Sequence, residues 1–260
     1  MIKPVNSVEY NRFGYEWGKY NRIIPIYEKQ FLGWVHPFKP SDFKGKRVLD
    51  AGCGTGRNTY WPLSYEAKEV VAFDVDPRTV AVAQKNLSDY SNASVVQSSI
   101  YDIKYVNEFD VVFSIGVIHH LERPKEAVAK LVRATKPGGT TLVWVYGKEG
   151  YTLLKFFING VRRLTSKFLI RILDICVKPW SFLFYLYLKA WKHKHPYLKL
   201  LSQASYWHIH SILFDQLLPE TANYWTRAET LDLFDGLSVS DVRINFCNKG
   251  SWTVWATKED

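Results

Sequence analysis

The sequence predicts an α/β fold with a doubly wound, mostly parallel sheet of seven strands and a helical insert after strand 5. Between residues 45 and 147, short apolar strand patterns alternate with helical patterns, which is typical of parallel strands joined by right-handed crossovers. A glycine-rich turn follows the first strand, and an acid ends the second. Alternating residues near the carboxyl end of the chain predict two further strands that pair antiparallel.

The first strand leads into the most informative pattern of the chain. Residues 47–51 form an apolar run that contains one acid, Asp50, and Gly52, Gly54 and Gly56 follow at alternate positions. Glycine lets backbone approach a ligand closely because no Cβ stands in the way. The turn therefore predicts a ligand at the carboxyl end of this strand, where open parallel sheets bind small molecules.

The second strand, residues 69–74, ends in another acid, Asp74. The separation between Asp50 and Asp74 along the chain is typical of a site in which a carboxylate at the end of the second strand holds two ribose hydroxyls. Asp76 and Pro77 then predict the start of a helix, because Asp is a good N-cap and Pro is favoured at the first helical position. An adenosine-type ligand is therefore expected over this edge of the sheet.

The remaining elements follow from the same kinds of pattern. Strands are expected over residues 94–97, 110–115 and 140–146, and helices over residues 79–87 and 124–134. Thr226 and Glu229 have the spacing of a capping box, and the helix that they open should end near Gly236. Residues 237–244 and 252–255 then alternate like a hairpin pair.

The spacing of the glycines separates two classes of cofactor. The dinucleotide fingerprint G-x-G-x-x-G fails, because its sixth position falls on Arg57 or Thr59. The pattern D-x-G-x-G-x-G instead resembles motif I of the class I S-adenosylmethionine-dependent methyltransferases. The resemblance implies the Rossmann-like methyltransferase fold, S-adenosyl-L-methionine as the cofactor and methyl transfer as the activity.

The resemblance continues in order over roughly residues 45–147 and more weakly over residues 221–257. Its further motifs are the acidic segment 73–77, the strand-4 segment 109–121 and the turn 136–139 before strand 5. Ser99 stands where the family usually has an acid that reads adenine. The adenine contact is therefore the point at which this chain departs from the family pattern, and the serine hydroxyl or the N–H of Ile100 is expected to substitute.

The resemblance implies a cofactor site at the carboxyl ends of strands 1, 2 and 4. The expected binding residues are Asp50, Gly52, Cys53, Gly54, Gly56, Asp74, Val75, Ser99, Ile100, Ser114, Ile115 and Gly116. An aromatic N-terminal segment resembles one that folds over the cofactor in some bacterial methyltransferases, which adds Tyr15, Trp17 and Tyr20. The alternative is that these aromatic residues only pack a helix on the core.

Two histidines after strand 4, His119 and His120, are the candidate catalytic residues. The resemblance places this position near the transferred methyl, and His120 matches the family's recurring histidine. An imidazole titrates near neutrality and can remove a proton from a hydroxyl or phenol acceptor. The alternative is that one of the two packs in the core or bonds backbone. No metal site is predicted.

Residues 148–220 are more than the family core needs, and they predict a helical, basic and aromatic insert. Between residues 151 and 217 there are ten Lys or Arg and two Asp, so 10 − 2 = +8 of the chain's net charge of +9 lies here. Apolar residues recur at helical spacing over 153–172, with basic residues between them. Residues 180–188 are the most apolar run, shorter than the ~20 residues that span a bilayer.

Three interpretations of the insert stay open. It is a helical lid that packs on the core, a membrane-surface element whose lysines meet anionic headgroups, or a charged funnel for a soluble acidic substrate. An exposed aromatic face would equally suit a homodimer interface. The expected domains are an N-terminal helical cap (1–44), a cofactor-binding core (45–147), the insert (148–220) and a C-terminal helix with antiparallel strands (221–260).

The sequence therefore predicts a methyltransferase that methylates an oxygen or nitrogen of a small-molecule, lipid, quinone or sugar acceptor. No nucleic-acid partner is expected, because strand 4 does not end in Asn or Asp followed by Pro-Pro and an aromatic residue. The rival interpretation is a cofactor-binding scaffold without turnover. Three cysteines without paired spacing and the absence of a signal-peptide pattern predict a cytoplasmic location, with peripheral contact at the inner face of the membrane as the alternative.

Overall fold

The computed structural model describes residue 15, residues 19–149, residue 160, residues 170–218 and residues 223–260. The chain forms two compact units. The sheet unit consists of Asn21–Gly150 and Ala222–Asp260, and the helical unit consists of Met1–Tyr20 and Tyr151–Thr221. Most of the helix predicted over 153–172 lies outside the described residues, as does Trp17.

The sheet unit is built on seven strands in the order β3-β2-β1-β4-β5-β7-β6. The strands are β1 (Arg47–Ala51), β2 (Glu69–Asp74), β3 (Ala93–Gln97), β4 (Phe109–Ile115), β5 (Thr135–Tyr146), β6 (Val239–Cys247) and β7 (Ser251–Lys258). Neighbouring strands among β1 to β5 pair parallel, and β7 pairs antiparallel with both β5 and β6. The predicted doubly wound, mostly parallel sheet with an antiparallel finish is thereby confirmed.

Helices connect the strands and form the second unit. The helices of the described residues are α1 (Ile26–Trp34), α2 (Tyr60–Ser64), α3 (Pro77–Asn86), α4 (Pro124–Ala134), α5 (Ile170–Ala190), α6 (Pro196–Leu201), α7 (Tyr206–Asp215) and α8 (Arg227–Leu231). Helix α3 starts at Pro77, as the Asp76 and Pro77 pattern predicts, and so includes two residues before the helical stretch expected over 79–87. Asp76 caps it by accepting a bond from Arg78 N–H, and Pro77 takes the first helical position. The capping box at Thr226 and Glu229 opens α8 as predicted.

The sheet separates two apolar layers, and β1 contributes to both. Leu49 packs with Leu131 of α4 on one side, whereas its neighbour Val48 packs with Phe31 of α1 on the other. Successive strand residues point to opposite faces, so a central strand that is covered on both sides buries apolar residues at neighbouring positions. This double cover explains why Val48 and Leu49 are both fully buried.

Strand β5 begins earlier than its predicted start at residue 140. Thr135 already pairs with Phe109, and the register then shifts so that Thr140 pairs with Val111. The turn predicted over 136–139 lies inside this irregular stretch, where Gly138 has φ +71°. The turn therefore forms a bulge within the strand.

The helical unit packs α5 against α7 around a small core. Tyr20, Leu173, Val177, Phe214 and Leu218 are its buried apolar residues. In the described parts of the chain, no helix is both long enough and apolar enough to cross a membrane.

A buried polar network also lies between α5 and α7. His210 Nε2 lies 3.1 Å from Asp174 Oδ1, and its Nδ1 lies 2.8 Å from Ser181 Oγ. Lys19 Nζ donates to the same aspartate at 2.6 Å. Because its carboxylate has these partners, Asp174 is tolerated in the interior of the unit.

Candidate cofactor and acceptor site

The loop after β1 forms the floor of the candidate cofactor site at the carboxyl edge of the sheet. Gly52, Gly54 and Gly56 have φ of +82°, +53° and +78°, which glycine adopts without steric cost. The N–H groups of Gly52 and Cys53 both donate to Phe73 O at 2.9 Å. The loop is thus fastened to the end of β2, and burial raises the pKa of the Cys53 thiol.

Packing requires the absence of a side chain at two of these glycines. A Cβ on Gly52 would collide with the side chain of Val117, which follows β4. A Cβ on Gly56 would lie 3.0 Å from Leu87 Cδ1. The glycines therefore bring the loop close to neighbouring elements as well as supplying its backbone conformation.

Asp74 stands half-buried at the end of β2 with part of its hydrogen-bonding capacity in use. Its Oδ2 accepts from Gly54 N–H at 3.0 Å and its Oδ1 accepts from Asp76 N–H at 3.1 Å. Burial raises the pKa of this carboxyl, and the backbone hydrogen bonds oppose the rise. Each carboxylate oxygen has two lone pairs, so each can still accept one hydroxyl. Two adjacent ribose hydroxyls fit this arrangement.

Asp50 lies beneath the loop, with only 1% of its surface exposed. Its Oδ2 accepts from Thr59 Oγ1 at 2.7 Å, which ties β1 to the residue before α2. Burial raises the pKa of Asp50 to about 7; the Thr59 bond opposes this rise, and the charge of Asp74 adds to it. The structure thus gives this carboxyl a supporting position, and its expected contact with the methionine end of the cofactor stays a prediction.

The predicted adenine side lies after β3. Ser99 is half-buried, and its Oγ accepts from Tyr101 N–H at 3.3 Å, while Ile100 is 6% exposed. Val75, also half-buried, accepts a bond from Gln97 Nε2 at 3.1 Å through its carbonyl oxygen. The serine hydroxyl therefore already supports the local turn, and the adenine contacts of this segment stay predictions.

The end of β4 is held against β1. Ser114 is fully buried and its Oγ donates to Ala51 O at 2.8 Å, so this hydroxyl joins two strands. Ile115 is buried, and Gly116 turns away with φ +80° while its N–H donates to Trp144 O at 3.2 Å. These residues position the segment that carries the two candidate catalytic histidines.

The two histidines have different surroundings. His119 is fully buried and stacks on Tyr146, with ring centroids 4.0 Å apart and an interplanar angle of 29°. Tyr146 in turn stacks on Tyr224 at 5.6 Å. His120 is only half-buried, with its ring 4.2 Å from that of His119. His120 is therefore the more exposed of the two and His119 packs in the core; a catalytic role of either histidine stays a prediction.

Sequence reasoning did not select Tyr146 or Tyr224. Tyr146 ends β5, so its position at a carboxyl strand end was a usable signal. Tyr224 follows the insert, and no local pattern connects it to the sheet edge. The stack of His119, Tyr146 and Tyr224 forms an aromatic wall, which we call the aromatic column.

Asn58 is a further residue that sequence reasoning missed. Its side chain is 8% exposed, and its Oδ1 has no hydrogen-bond partner among the described residues. A buried acceptor without a partner costs free energy, so such an atom often marks the position of a missing donor. Asn58 lies two residues after the glycine loop, and an ammonium group such as that of an amino-acid tail would satisfy it.

Two of the three predicted N-terminal cover residues are described, and both pack within the helical unit. The rings of Tyr15 and Phe214 lie 6.2 Å apart, and those of Tyr20 and Trp207 lie 5.0 Å apart. Trp17 lies outside the described residues. A contact of these residues with a cofactor stays a prediction.

Part of the sheet unit is similar in sequence to known proteins. Residues 49–143 match the family model described as a methyltransferase domain. The chain is 34% identical over 122 residues to the tRNA U34 carboxymethyltransferase of Cellvibrio japonicus, covering 44% of this chain and 38% of that protein. It is 33% identical over 113 residues to the malonyl-[acyl-carrier protein] O-methyltransferase of Halalkalibacterium halodurans, covering 41% of each.

Solved structures show the same fold. Magnesium protoporphyrin IX methyltransferase from Synechocystis PCC 6803, solved with bound S-adenosylhomocysteine, has a TM-score of 0.55 at 15% identity and covers 98% of this chain and 96% of that one. The chain spans only 26% to 41% of the length of the first curated relatives that it matches. The names of several relatives include tRNA. These relatives speak against the expectation that the chain has no nucleic-acid partner.

Proposed function

We propose that this protein, whose residues 49–143 match the model of a methyltransferase domain, is a class I S-adenosylmethionine-dependent methyltransferase and transfers a methyl group to an oxygen or nitrogen of an acceptor held beside His120. The observation that carries the proposal is the Asp74 carboxylate. It is fixed by two backbone N–H groups at the carboxyl edge of the sheet and has lone pairs left for two hydroxyls.

The residues at the sheet edge fit the cofactor. Asp74 would hold the ribose, and the Oδ1 of Asn58 would accept from the ammonium of the methionine end. When it is bound, S-adenosylmethionine supplies a sulfonium-bound methyl group that a nucleophile can attack. The glycine loop lets backbone lie close to the ligand, since it carries no Cβ at Gly52, Gly54 or Gly56.

On the acceptor side, His120 would take the proton from a hydroxyl as the new bond forms. His119 and Tyr146 would exclude water and hold the ring of His120 in place, because they form a packed wall next to it. Alignment of acceptor and cofactor in a dry site provides most of the rate enhancement that such a transfer needs.

The proposed acceptor is a small molecule, a lipid or quinone, or a sugar. A tRNA acceptor is the second candidate, because several relatives are named for tRNA and the chain carries a net charge of +9. A cofactor-binding scaffold without turnover is the proposal from another class. The cytoplasmic location and the role of the insert as a lid remain predictions.

Cofactor binding is tested first, by isothermal titration of the purified protein with S-adenosylhomocysteine. Asp74→Ala should weaken binding at least tenfold, because each hydrogen bond to a charged group contributes about 1.5–3 kcal/mol. Asp89→Ala, which removes an exposed carboxyl after α3, is the matched control and should leave the affinity unchanged. Unchanged affinity in Asp74→Ala would refute the ribose assignment.

Turnover is tested with radiolabelled cofactor and a panel of hydroxyl, amine, lipid, sugar and tRNA acceptors. His120→Ala should lower the rate of transfer by about 10²–10⁴-fold, as loss of a general base does, and leave S-adenosylhomocysteine affinity unchanged. Full activity in this variant would remove His120 as the base. Binding without transfer to any acceptor would favour the scaffold.

A further inference from the structure

Helix α5 exposes an apolar face along its whole length. Ile172, Ile175, Leu183 and Leu186 are 50%, 62%, 57% and 45% exposed. Together with Pro179 and Ala190, they recur at intervals of three or four residues, so they share one side of the helix. The opposite side supplies the buried residues of the helical unit, among them Leu173. A water-exposed helix side normally carries polar residues, and this one does not.

Aromatic side chains widen the exposed face. Trp180, Phe182, Tyr187 and Trp191 are 71%, 50%, 43% and 64% exposed. With the four aliphatic residues they make eight large side chains that are exposed in or just after one helix, whereas exposed apolar residues of a soluble monomer are normally scattered singly. Such a concentration marks an interaction surface.

Basic residues line one edge of the same face. Arg171, Lys178 and Lys189 are exposed and occur at intervals of seven and eleven residues, which places them in one row along the helix. The only acid of α5, Asp174, is buried and bonded to Lys19. The outer surface of the helix therefore presents positive charge without an exposed carboxylate.

A pocket continues the basic row at the carboxyl end of the helix. It has a volume of about 420 Å³, and Lys189, Lys192 and Lys199 line it together with Trp191 and His193. Lys189 Nζ donates to Ser202 O at 2.7 Å, and Ser202 also lines the pocket. Lysines that line a pocket beside an apolar face suit an anionic headgroup whose hydrocarbon lies next to it.

We propose that the exposed face of α5 binds the surface of an anionic lipid bilayer. The apolar stripe and the aromatic rings enter the boundary between headgroups and acyl chains, and the basic row lies on the anionic headgroups. Two copies of the chain that paired antiparallel through this face would bring two basic rows together, which opposes self-association in that arrangement. This property goes beyond methyl transfer and does not depend on it.

The test is co-sedimentation of the full chain with vesicles of equal parts phosphatidylglycerol and phosphatidylcholine. Binding should be strong at about 10 mM salt and weaken at about 1 M salt, because the Debye length falls from about 30 Å to about 3 Å. It should also be weaker on vesicles of phosphatidylcholine alone. Absence of pelleting on the anionic vesicles at low salt would overturn the proposal.

Two pairs of substitutions separate the apolar and the charged contributions. Ile175→Asn with Leu183→Asn should lower the partition constant at least tenfold, and the matched control is Val106→Asn with Val242→Asn, which changes two exposed apolar residues of the sheet unit. Arg171→Gln with Lys178→Gln should lower it about fivefold for each charge removed. Circular dichroism verifies that every variant is folded.

Two results would contradict the lipid assignment. Equal loss of binding in the Val106 and Val242 control would show that α5 is not the contact. Light scattering without vesicles should report a monomer, and a dimer that Ile175→Asn with Leu183→Asn dissociates would assign the face to a second copy. S-adenosylhomocysteine binding is measured in parallel and should be the same in all variants, so failure at the membrane is distinguished from failure of the cofactor site.

Discussion

The buried carboxyl of Asp50 should make the stability of the sheet unit fall as the pH rises. Burial raises the pKa of Asp50 to about 7 in the folded protein, whereas its ordinary value is 3.8. Between these two values the folded state holds a proton that the unfolded state has released. The stabilisation is therefore fully present below pH 3.8 and is lost as the pH rises through about 7.

The magnitude follows from the size of the shift. One pKa unit corresponds to about 1.36 kcal/mol, so the two units between pH 5 and pH 7 should cost about 3 kcal/mol of unfolding free energy. Asp50→Asn removes this titration and keeps an oxygen that accepts from Thr59. When the pH is raised from 5 to 8, the unfolding free energy of the variant minus that of the unsubstituted protein should therefore increase by about 3 kcal/mol.

The assay is urea unfolding of the cofactor-free protein at several values between pH 5 and pH 8, followed by circular dichroism. Asp89→Asn makes the same chemical change at an exposed carboxyl and should track the unsubstituted protein at every pH. A stability difference between Asp50→Asn and the unsubstituted protein that stays constant from pH 5 to pH 8 would refute the reasoning.

Three other changes test separate parts of the structure. Gly52→Ala should destabilise the protein by roughly 1–3 kcal/mol more than Gly45→Ala in urea unfolding, because both positions have positive φ but only a Cβ at Gly52 meets Val117. Equal losses of unfolding free energy in the two variants would show that the structure relieves the collision. Burial lowers the pKa of His210 below 6.5, so the helical unit should lose stability as the pH falls below 6.5, and His210→Gln should flatten that part of a thermal-unfolding profile. Thr226→Ala should cost about 1 kcal/mol through loss of the cap of α8, while Thr226→Ser should preserve it.

The parts of the fold that sequence patterns predicted are those that local chemistry determines. Helix α4 begins and ends at the predicted residues, since Pro124 suits its first position and its apolar stripe is regular. The start of β5 was predicted late, because the bulge after Thr135 depends on pairing with Phe109, which is distant in the chain. Contacts of this kind leave no periodic signal in the sequence.

The candidate site also contains residues that the sequence predicted and residues that it did not. The glycine loop and Asp74 were predicted from their spacing along the chain, because a nucleoside site needs a close backbone approach after the first strand and a carboxylate at the end of the second. The aromatic column was not, since Tyr146 and Tyr224 are separated by the whole insert. Composition showed that α5 is apolar and basic, but only the packing of Leu173 and its neighbours reveals which side of the helix remains exposed.

The two segments by which the chain leaves the sheet unit and returns to it are bonded to each other. Lys148 N–H donates to Trp225 O at 2.8 Å, and Trp225 N–H donates to Tyr146 O at 3.1 Å. Glu149 accepts from Arg227 N–H and from Trp252 Nε1. These bonds close the base of the segment between Glu149 and Trp225. A change in the length of that segment should therefore alter the free energy of folding only slightly, because loop-closure entropy grows slowly with length. The segment between Glu149 and Trp225 can therefore change in length and sequence while the sheet unit stays unchanged.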